Sequence, residues 1–289
     1  MIMDNELEIK LKRIKTLCKQ KPSHKEVLGF LKKVITAQAK VKADIKMEDV
    51  NIDQQIVKMK AKEGFPLLDK QALKFDVGLA KGLFKKMSQI LRNRVPEDIE
   101  QINQALKTKE LNIESLLKNA LRENGNYINN VAQKLRVKPA VISFLVKNTL
   151  KPFFEVYAES TKDYVDQQHW LRNYCPICGS KPFMAELHGK ERKKILVCSV
   201  CGYKWRFIRT RCPFCGTHIP QGFKYFYTEK EGRAWRVEVC DNCKKYMKTF
   251  DTVEAGEQLI PDIDDIGTLY LDMIAENEGY KREIGSVLF

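Results

Sequence analysis

Four Cys-x-x-Cys pairs, all between Cys175 and Cys243, constrain the fold of this 289-residue chain more than any other feature. They occur in "CPICG", "CSVCG", "CPFCG" and "CDNC" and contain eight of the nine cysteines. A tetrahedral metal ion needs four soft ligands at one point, and one Cys-x-x-Cys turn supplies two of them. The sequence therefore predicts two four-cysteine metal sites, whose ligands are Cys175, Cys178, Cys198, Cys201, Cys212, Cys215, Cys240 and Cys243.

The segments between the pairs predict which pairs share a metal. Loops of 19 and 24 residues contain the strand-like stretches "KPFMAEL" and "KILV", then "FKYFYT" and "AWRVEV". We call each Cys-x-x-Cys turn a knuckle. A hairpin brings the knuckle before it beside the knuckle after it, so the two knuckles at the ends of each hairpin should form one site. An interleaved pairing stays open as the alternative. Gly179 and Gly216 can adopt the positive φ that directs backbone N–H groups towards sulfur.

Disulfides and a dithiol redox site fit the pattern less well than metal. The start "MIMDNELEIK" is acidic where a signal peptide is basic, and the apolar run "AVISFLV" is far shorter than the ~20 residues that cross a bilayer. We therefore expect a cytoplasmic protein, and structural disulfides are rare in that compartment. A thioredoxin-like site would have one pair at a helix start, not four pairs on hairpins.

The expected metal is iron or zinc, one ion per four-cysteine site. A closed zinc site with four thiolate ligands is usually structural, whereas iron in a rubredoxin-like knuckle can cycle between ferrous and ferric states. The affinity order favours zinc over ferrous iron, so the metal found after purification need not be the one used in the cell. We find no nucleophile–base set, phosphate loop or catalytic carboxylate pair, and we expect no enzymatic activity.

The remainder of the chain is predicted to be mainly helical. In "ELEIKLKRIKTLC", Leu7, Leu11, Ile14 and Cys18 lie on one helix face, which makes Cys18 a core thiol. Further helical periods cover about 24–43, 78–93, 97–108, 112–122, 126–136 and 139–168. The predicted class is α+β: an all-helical domain (1–168), two tandem rubredoxin-like (zinc-ribbon) modules (169–204 and 205–250) and a C-terminal helical segment (251–289).

Outside the cysteines, candidate polar sites are few. One C-terminal helix is expected after an Asp262 N-cap, with Asp264 and Asp265 as solvated acids in its first turn, where the helix dipole favours carboxylates. A contact of these two acids with a partner is the alternative. The knuckles are flanked by three histidines, which we expect to be structural or solvated because eight cysteines already fill two sites: His169, His188 and His218.

A net charge of +14 and a pI of about 9.2 support an alternative function. The zinc-ribbon region has a row of basic residues that could bind nucleic-acid phosphates: Lys190, Arg192, Lys193, Lys194, Arg206, Arg209 and Arg211. Such binding would weaken steeply with added salt. A free rubredoxin-like one-electron carrier is a third hypothesis.

Several segments together resemble the FdhE family of formate dehydrogenase accessory proteins. They are "CPICGSKP", "VCSVCGYKWRFIRTRCPFCG", "VEVCDNCKKYMKTF" and "IDDIGTLYLDMIAENEGYKR", in that order and spacing. The resemblance implies a helical domain followed by tandem rubredoxin-like modules, with all eight paired cysteines as metal ligands. It also implies a cytoplasmic protein that binds the molybdenum-containing catalytic subunit of a respiratory formate dehydrogenase before export. No membrane insertion and no nucleic-acid partner are expected.

Overall fold

The computed structural model describes residues 2–46, 52–122, 125–229 and 231–285. It confirms the predicted α+β class, with helices first and a sheet region with two cysteine clusters after them. The helices before the sheet are α1 (Ile2–Gln20), α2 (Lys25–Asp44), α3 (Gln54–Glu63), α4 (Val77–Leu91), α5 (Pro96–Lys107), α6 (Ile113–Leu121), α7 (Gly125–Lys134) and α8 (Pro139–Thr161). Short 3-10 turns cover Pro22–His24, Lys70–Ala72 and Lys162–Tyr164.

Helix α8 organises the helical region by packing against α2, α4, α6 and α7. Its first two-thirds are strongly apolar, and Phe144 meets Phe30 of α2 with ring centroids 5.7 Å apart. Helix α4 shows the local signals from which a helix can be predicted. Asp76 caps its start by accepting a hydrogen bond from Leu79 N at 2.8 Å, and apolar residues at helical spacing, such as Leu83 and Met87, are fully buried.

The strands of the described residues are β1 (Pro182–His188), β2 (Lys193–Cys198), β3 (Lys204–Phe207), β4 (Lys224–Thr228), β5 (Gly232–Cys240), β6 (Lys245–Asp251) and β7 (Lys281–Arg282). They form a seven-stranded sheet in the order β3-β2-β1-β6-β5-β4, with β7 added beside β6. Neighbours within β1–β3 and within β4–β6 are antiparallel, whereas β1 and β6 pair in parallel. The two cysteine-rich segments therefore share one sheet.

Two hydrophobic clusters place the sheet against the helices. The larger cluster runs from the helical region through the sulfurs of the first four cysteines to Trp205, which is fully buried. The second cluster lies between the sheet and the C-terminal helices, where Trp235 and Phe250 stack at 4.2 Å beside Leu271. Strand β3 spans the predicted boundary between 204 and 205, and the domain limits stay a prediction.

The C-terminal segment differs from the predicted single helix. After a short turn α9 (Thr252–Ala255), two helices, α10 (Pro261–Gly267) and α11 (Leu269–Asn277), meet at Thr268. Asp262 lies inside α10 rather than capping it. None of the described helices is long and apolar enough to cross a membrane.

The prediction that Asp264 and Asp265 are solvated is wrong. Their exposed fractions are 1% and 0%. Arg13 Nε lies 2.6 Å from Asp264 Oδ1, and Lys248 Nζ lies 2.6 Å from Asp265 Oδ1. A buried carboxylate needs such a partner because burial without one is costly. Both partners are distant in sequence, so the local helix pattern does not reveal them.

Candidate metal centres

Each Cys-x-x-Cys pair lies in a tight turn of backbone hydrogen bonds. In the first turn Gly179 N donates to Cys175 O at 2.9 Å, and in the third Gly216 N donates to Cys212 O at 3.0 Å. The positive φ predicted for these glycines is present, at 71° and 76°. The fourth turn has Lys244 at the equivalent position with φ 55°, a conformation that a non-glycine residue adopts at some cost.

Backbone N–H groups point at the sulfurs from inside the turns and from the residues that follow them. Val200 N lies 3.4 Å from Cys198 Sγ, and Phe214 N lies 3.4 Å from Cys212 Sγ. Such bonds favour the thiolate form, which is the form that binds metal. Backbone after the turns contributes too, because Thr217 N–H bonds to the Cys215 sulfur and Lys245 N–H bonds to the Cys243 sulfur.

Centre 1 consists of Cys175, Cys178, Cys198 and Cys201, whose sulfurs all lie within 4.8 Å of one another. Cys175 Sγ is 3.6 Å from Cys201 Sγ, and Cys178 Sγ is 3.4 Å from Cys198 Sγ. Exposed fractions are between 0% and 4%, so this centre is closed to solvent. Burial raises the pKa of the Cys175 thiol, which disfavours a free thiolate there unless a cation is bound.

Centre 2 consists of Cys212, Cys215, Cys240 and Cys243, again within 4.8 Å. Cys212 Sγ is 3.9 Å from Cys243 Sγ, and Cys215 Sγ is 3.7 Å from Cys240 Sγ. This centre reaches the surface, because Cys215 is exposed and Cys243 is half-buried. In each centre the four sulfurs come from two consecutive knuckles. This is the sequential pairing and not the interleaved one.

Both centres have the dimensions of a tetrahedral thiolate site. Four sulfurs at ~2.3 Å from a central metal lie ~3.8 Å apart. The nearest sulfur pairs in the two groups are separated by 3.4–3.9 Å, and all nine cysteines are free of disulfides. Each cluster could therefore hold one metal ion, and the donor set of four thiols suits zinc or iron.

The electrostatics of centre 2 depend on two polar neighbours. Burial tends to raise the pKa of Cys215, but hydrogen bonds with Thr217 and Asn242 bring it down to about 6. Cys215 Sγ is 3.3 Å from Thr217 Oγ1, and Asn242 Nδ2 is 3.5 Å from the same sulfur. In the fourth knuckle, burial raises the pKa of Cys243 to about 11.

A segment of the helical region covers the first knuckle of centre 1. Leu67 N donates to Pro176 O and Leu68 N donates to Ile177 O, both at 2.8 Å. Pro66 packs so closely that a Cβ on Gly179 would lie 2.9 Å from its ring. The sequence gives no sign of this contact, because the pairing of a loop such as "GFPLLDK" with a knuckle leaves no periodic signal.

The other predicted residues lie outside both sulfur groups. Cys18 is half-buried and packs against the main core. Each of the three histidines that flank the knuckles has a polar neighbour: His169 Nδ1 lies 2.7 Å from Asp166, His218 Nε2 lies 3.1 Å from Thr210, and His188 Nδ1 lies 3.9 Å from Glu186.

Three of the seven residues in the basic row proposed for nucleic acid are paired with acids. Lys194 is buried and lies 2.7 Å from Glu238. Arg192 contacts Asp251 and Glu254, and Lys193 contacts Glu191. A phosphate-binding surface needs exposed and uncompensated charge. The structure thus offers less positive surface here than the sequence suggests.

The difference in exposure predicts that centre 2 loses its metal first. In zinc-loaded protein, a chelator should remove about one of the two equivalents rapidly and the second far more slowly, since only centre 2 has an exposed ligand. Zinc release can be followed with a coloured chelator. Cys240→Ser should abolish the fast phase and leave the slow one. Loss of the slow phase in that variant would contradict the assignment.

Comparisons with known proteins agree with this architecture. A family model described as the FdhE C-terminal domain matches residues 210–289. An FdhE homolog from Aquifex aeolicus is 26% identical over 278 residues, covering 95% of this chain and 92% of that protein. The FdhE protein of Escherichia coli K12 is 33% identical over 113 residues, covering 38% of this chain and 36% of its own length. Residues 210–289 thus match the FdhE C-terminal domain, and the chain is similar to an FdhE homolog along almost its whole length.

The fold of a solved FdhE-family structure matches almost the whole chain. The crystal structure of the FdhE protein from Pseudomonas aeruginosa aligns with a TM-score of 0.64 and 19% identity. The alignment covers 97% of this chain and 94% of that one. The likeness therefore extends to the helical region, where the sequence resemblance to the family is faint.

Proposed function

We propose that this chain is a cytoplasmic accessory protein that binds the catalytic subunit of a respiratory formate dehydrogenase before export and assists its assembly. It would have one iron or zinc ion in each four-cysteine centre and turn over no small substrate. The observation that carries the proposal is the pair of four-sulfur clusters on a shared sheet in a chain similar to an FdhE homolog.

The geometry of the centres favours a binding protein over an enzyme. Each centre has four thiols, which occupy all four coordination positions of a tetrahedral metal ion and leave none for a substrate. Centre 1 is sealed by the core and by the Leu67–Leu68 backbone pairing. Centre 2, with exposed Cys215, is better placed to exchange an electron if iron is bound. The family resemblance supplies the identity of the client.

Purification from the native host tests the client. Tagged protein should recover a formate dehydrogenase catalytic subunit, and a strain without this protein should lose formate dehydrogenase activity while still synthesising that subunit. A variant lacking both centres, Cys178→Ser with Cys215→Ser, serves as the control and should not restore activity. Recovery of RNA or ribosomal proteins alone would contradict the proposal and favour the nucleic-acid hypothesis.

The bound metal can be identified by colour. Protein made anaerobically with ample iron should be red when oxidised, because of thiolate-to-ferric charge transfer, and should bleach on reduction. Zinc-filled protein would be colourless. If the zinc-filled form alone restores full activity to the deletion strain, the centres are structural.

A further inference from the structure

A wide groove lies beside centre 1, between the helical region and the first two knuckles. It encloses about 520 Å³. Most of its surface is apolar and includes residues of α6, α7 and α8 as well as Ile284. Ile128, Val200 and Ile284 are only half-buried, so they present apolar surface to the groove without being part of the closed core. Pockets of this size and character are typical of binding sites.

The charged side chains that line the groove are all of one sign. Four lysines line it, and none of the lining residues is an aspartate or glutamate: Lys70, Lys147, Lys151 and Lys181. Lys151 and Lys181 are paired with acids beyond the groove, namely Asp262 and Glu283. Lys147 is exposed at the groove, and no carboxylate among the described residues pairs with it.

The floor of the groove is the backbone that holds centre 1. Gly179 and Ser180 follow the first knuckle, and Ser199 and Val200 lie within the second. Ser180 O accepts a hydrogen bond from Cys175 N at 2.9 Å, and Val200 N points at Cys198 Sγ. An occupant of the groove would thus contact the same turns that position the sulfurs.

We propose that the groove binds an apolar segment of a partner polypeptide that carries a carboxylate, with the carboxylate at Lys147 and the apolar side chains against Ile128, Leu150 and Phe154. Within the proposed function, that partner is the client subunit. Charge complementarity selects an acidic rather than a basic segment, because the charged side chains lining the groove are all lysines and Lys147 presents a positive charge there that no described acid neutralises.

Fluorescence anisotropy with two short labelled peptides tests the groove without the client. One peptide contains leucine and glutamate, and the other has lysine in place of glutamate. The metal-loaded protein should bind the acidic peptide at least about tenfold more tightly than the basic one. Lys147→Glu should abolish this preference. The matched control Lys85→Glu changes an exposed lysine of α4 away from the groove and should leave it intact.

A second variant fills the groove instead of changing its charge. Ala120→Trp, at a half-buried lining position, should abolish binding of both peptides while metal content and circular dichroism stay unchanged. If Ala120→Trp does not fold, the peptide-binding measurements on Lys147→Glu alone test the proposal. Equal binding of the acidic peptide by wild type and Lys147→Glu, or no binding by wild type, overturns the proposal.

Other occupants give distinct results. If wild type is a dimer by light scattering and Ala120→Trp is a monomer, a second copy fills the groove and the proposal is wrong. If peptide binding appears only after the chain is shortened to residue 285, residues 286–289 fill it, and the proposal is again wrong. Failure to recover the client from the native host would overturn the proposed function, whereas peptide binding addresses the groove alone.

Discussion

Replacing Cys175 by serine is expected to remove one of the two metal equivalents and to unfold the region around centre 1. The Cys175 side chain is fully buried, and its sulfur is part of the main hydrophobic cluster. Structural zinc contributes an apparent ~10–16 kcal/mol in small zinc-binding peptides. Domain stability is only about 5–15 kcal/mol in total. The free energy lost with this metal is therefore comparable to, or larger than, the whole stability of the region around centre 1.

Serine also adds its own penalty at this position. A hydroxyl is a poor ligand for zinc or ferrous iron, and it would be buried among three thiols without a suitable partner. The region should lose the hydrogen bonds from Leu67 and Leu68 to the first knuckle, which hold the helical segment in place. Amide hydrogen exchange across residues 64–73 should consequently rise with the loss of metal.

The matched variant is Cys215→Ser, which alters the exposed ligand of centre 2. It should also lose one metal equivalent, but with a much smaller fall in unfolding temperature, because its surroundings are solvent on one side. Metal analysis and thermal unfolding of both variants separate the two centres. Loss of both metals from Cys175→Ser in a protein that remains folded would contradict independent sites.

The helices were predictable because their signals are local. Predicted and observed bounds of α2, α4, α5 and α6 differ by three residues or fewer at either end. Helix α3 was not predicted: none of its residues is buried, so it lacks the apolar stripe on which such predictions depend. Helix α8 ends at Thr161, before the predicted 168, where a 3-10 turn follows.

The sheet was only partly predictable. The strands before the second and fourth knuckles were expected, but β3 and β6 lie after those knuckles in basic stretches that mask the two-residue period. The parallel pairing of β1 with β6 joins Met184 to Lys248, residues 64 positions apart. Such a pairing has no turn signature, because parallel neighbours are linked by long crossovers. Two separate modules were therefore the natural expectation.

The sulfur groups were predictable from spacing, whereas their different surroundings were not. A Cys-x-x-Cys turn fixes two ligands locally, and the hairpin fixes the other two. Nothing in the spacing distinguishes buried Cys175 from exposed Cys215. That difference arises because the helical region packs over centre 1 and leaves centre 2 at the surface, a consequence of tertiary packing.

Replacing Lys248 by methionine is the second change expected to have a large effect. The Lys248 side chain is completely buried in strand β6, with Nζ 2.6 Å from Asp265 Oδ1 and 2.7 Å from Asp272 Oδ2. It also donates to Asp265 O at 2.7 Å. Arg282 contacts the same two carboxylates, so the cluster is neutral as it stands. Methionine would leave one buried negative charge uncompensated, at a cost of ~3–5 kcal/mol.

The pH dependence gives this prediction a second readout. Burial raises the pKa of Asp265, but Lys248 and Arg282 outweigh it, so the pKa is below its ordinary value. In wild type the carboxylate therefore contributes stability that is present above about pH 4 and is lost as pH falls through the lowered pKa. Without Lys248, the effect of burial is less offset, and the pKa of Asp265 rises. The folded variant then binds more protons than the unfolded one. The difference in free energy of unfolding between wild type and Lys248→Met should therefore become smaller as pH falls from about 7 to about 4.

Urea unfolding of metal-loaded protein at several pH values measures both effects. The matched control is Lys245→Met on the same strand, where the lysine is one-third exposed and pairs with Glu283. Exposed pairs contribute about 1 kcal/mol or less, so this control should change little at any pH. Adding Asp265→Asn to Lys248→Met should restore part of the lost stability, because it removes the uncompensated charge. Equal costs for Lys248→Met and Lys245→Met would show that the buried cluster contributes no more than a surface pair.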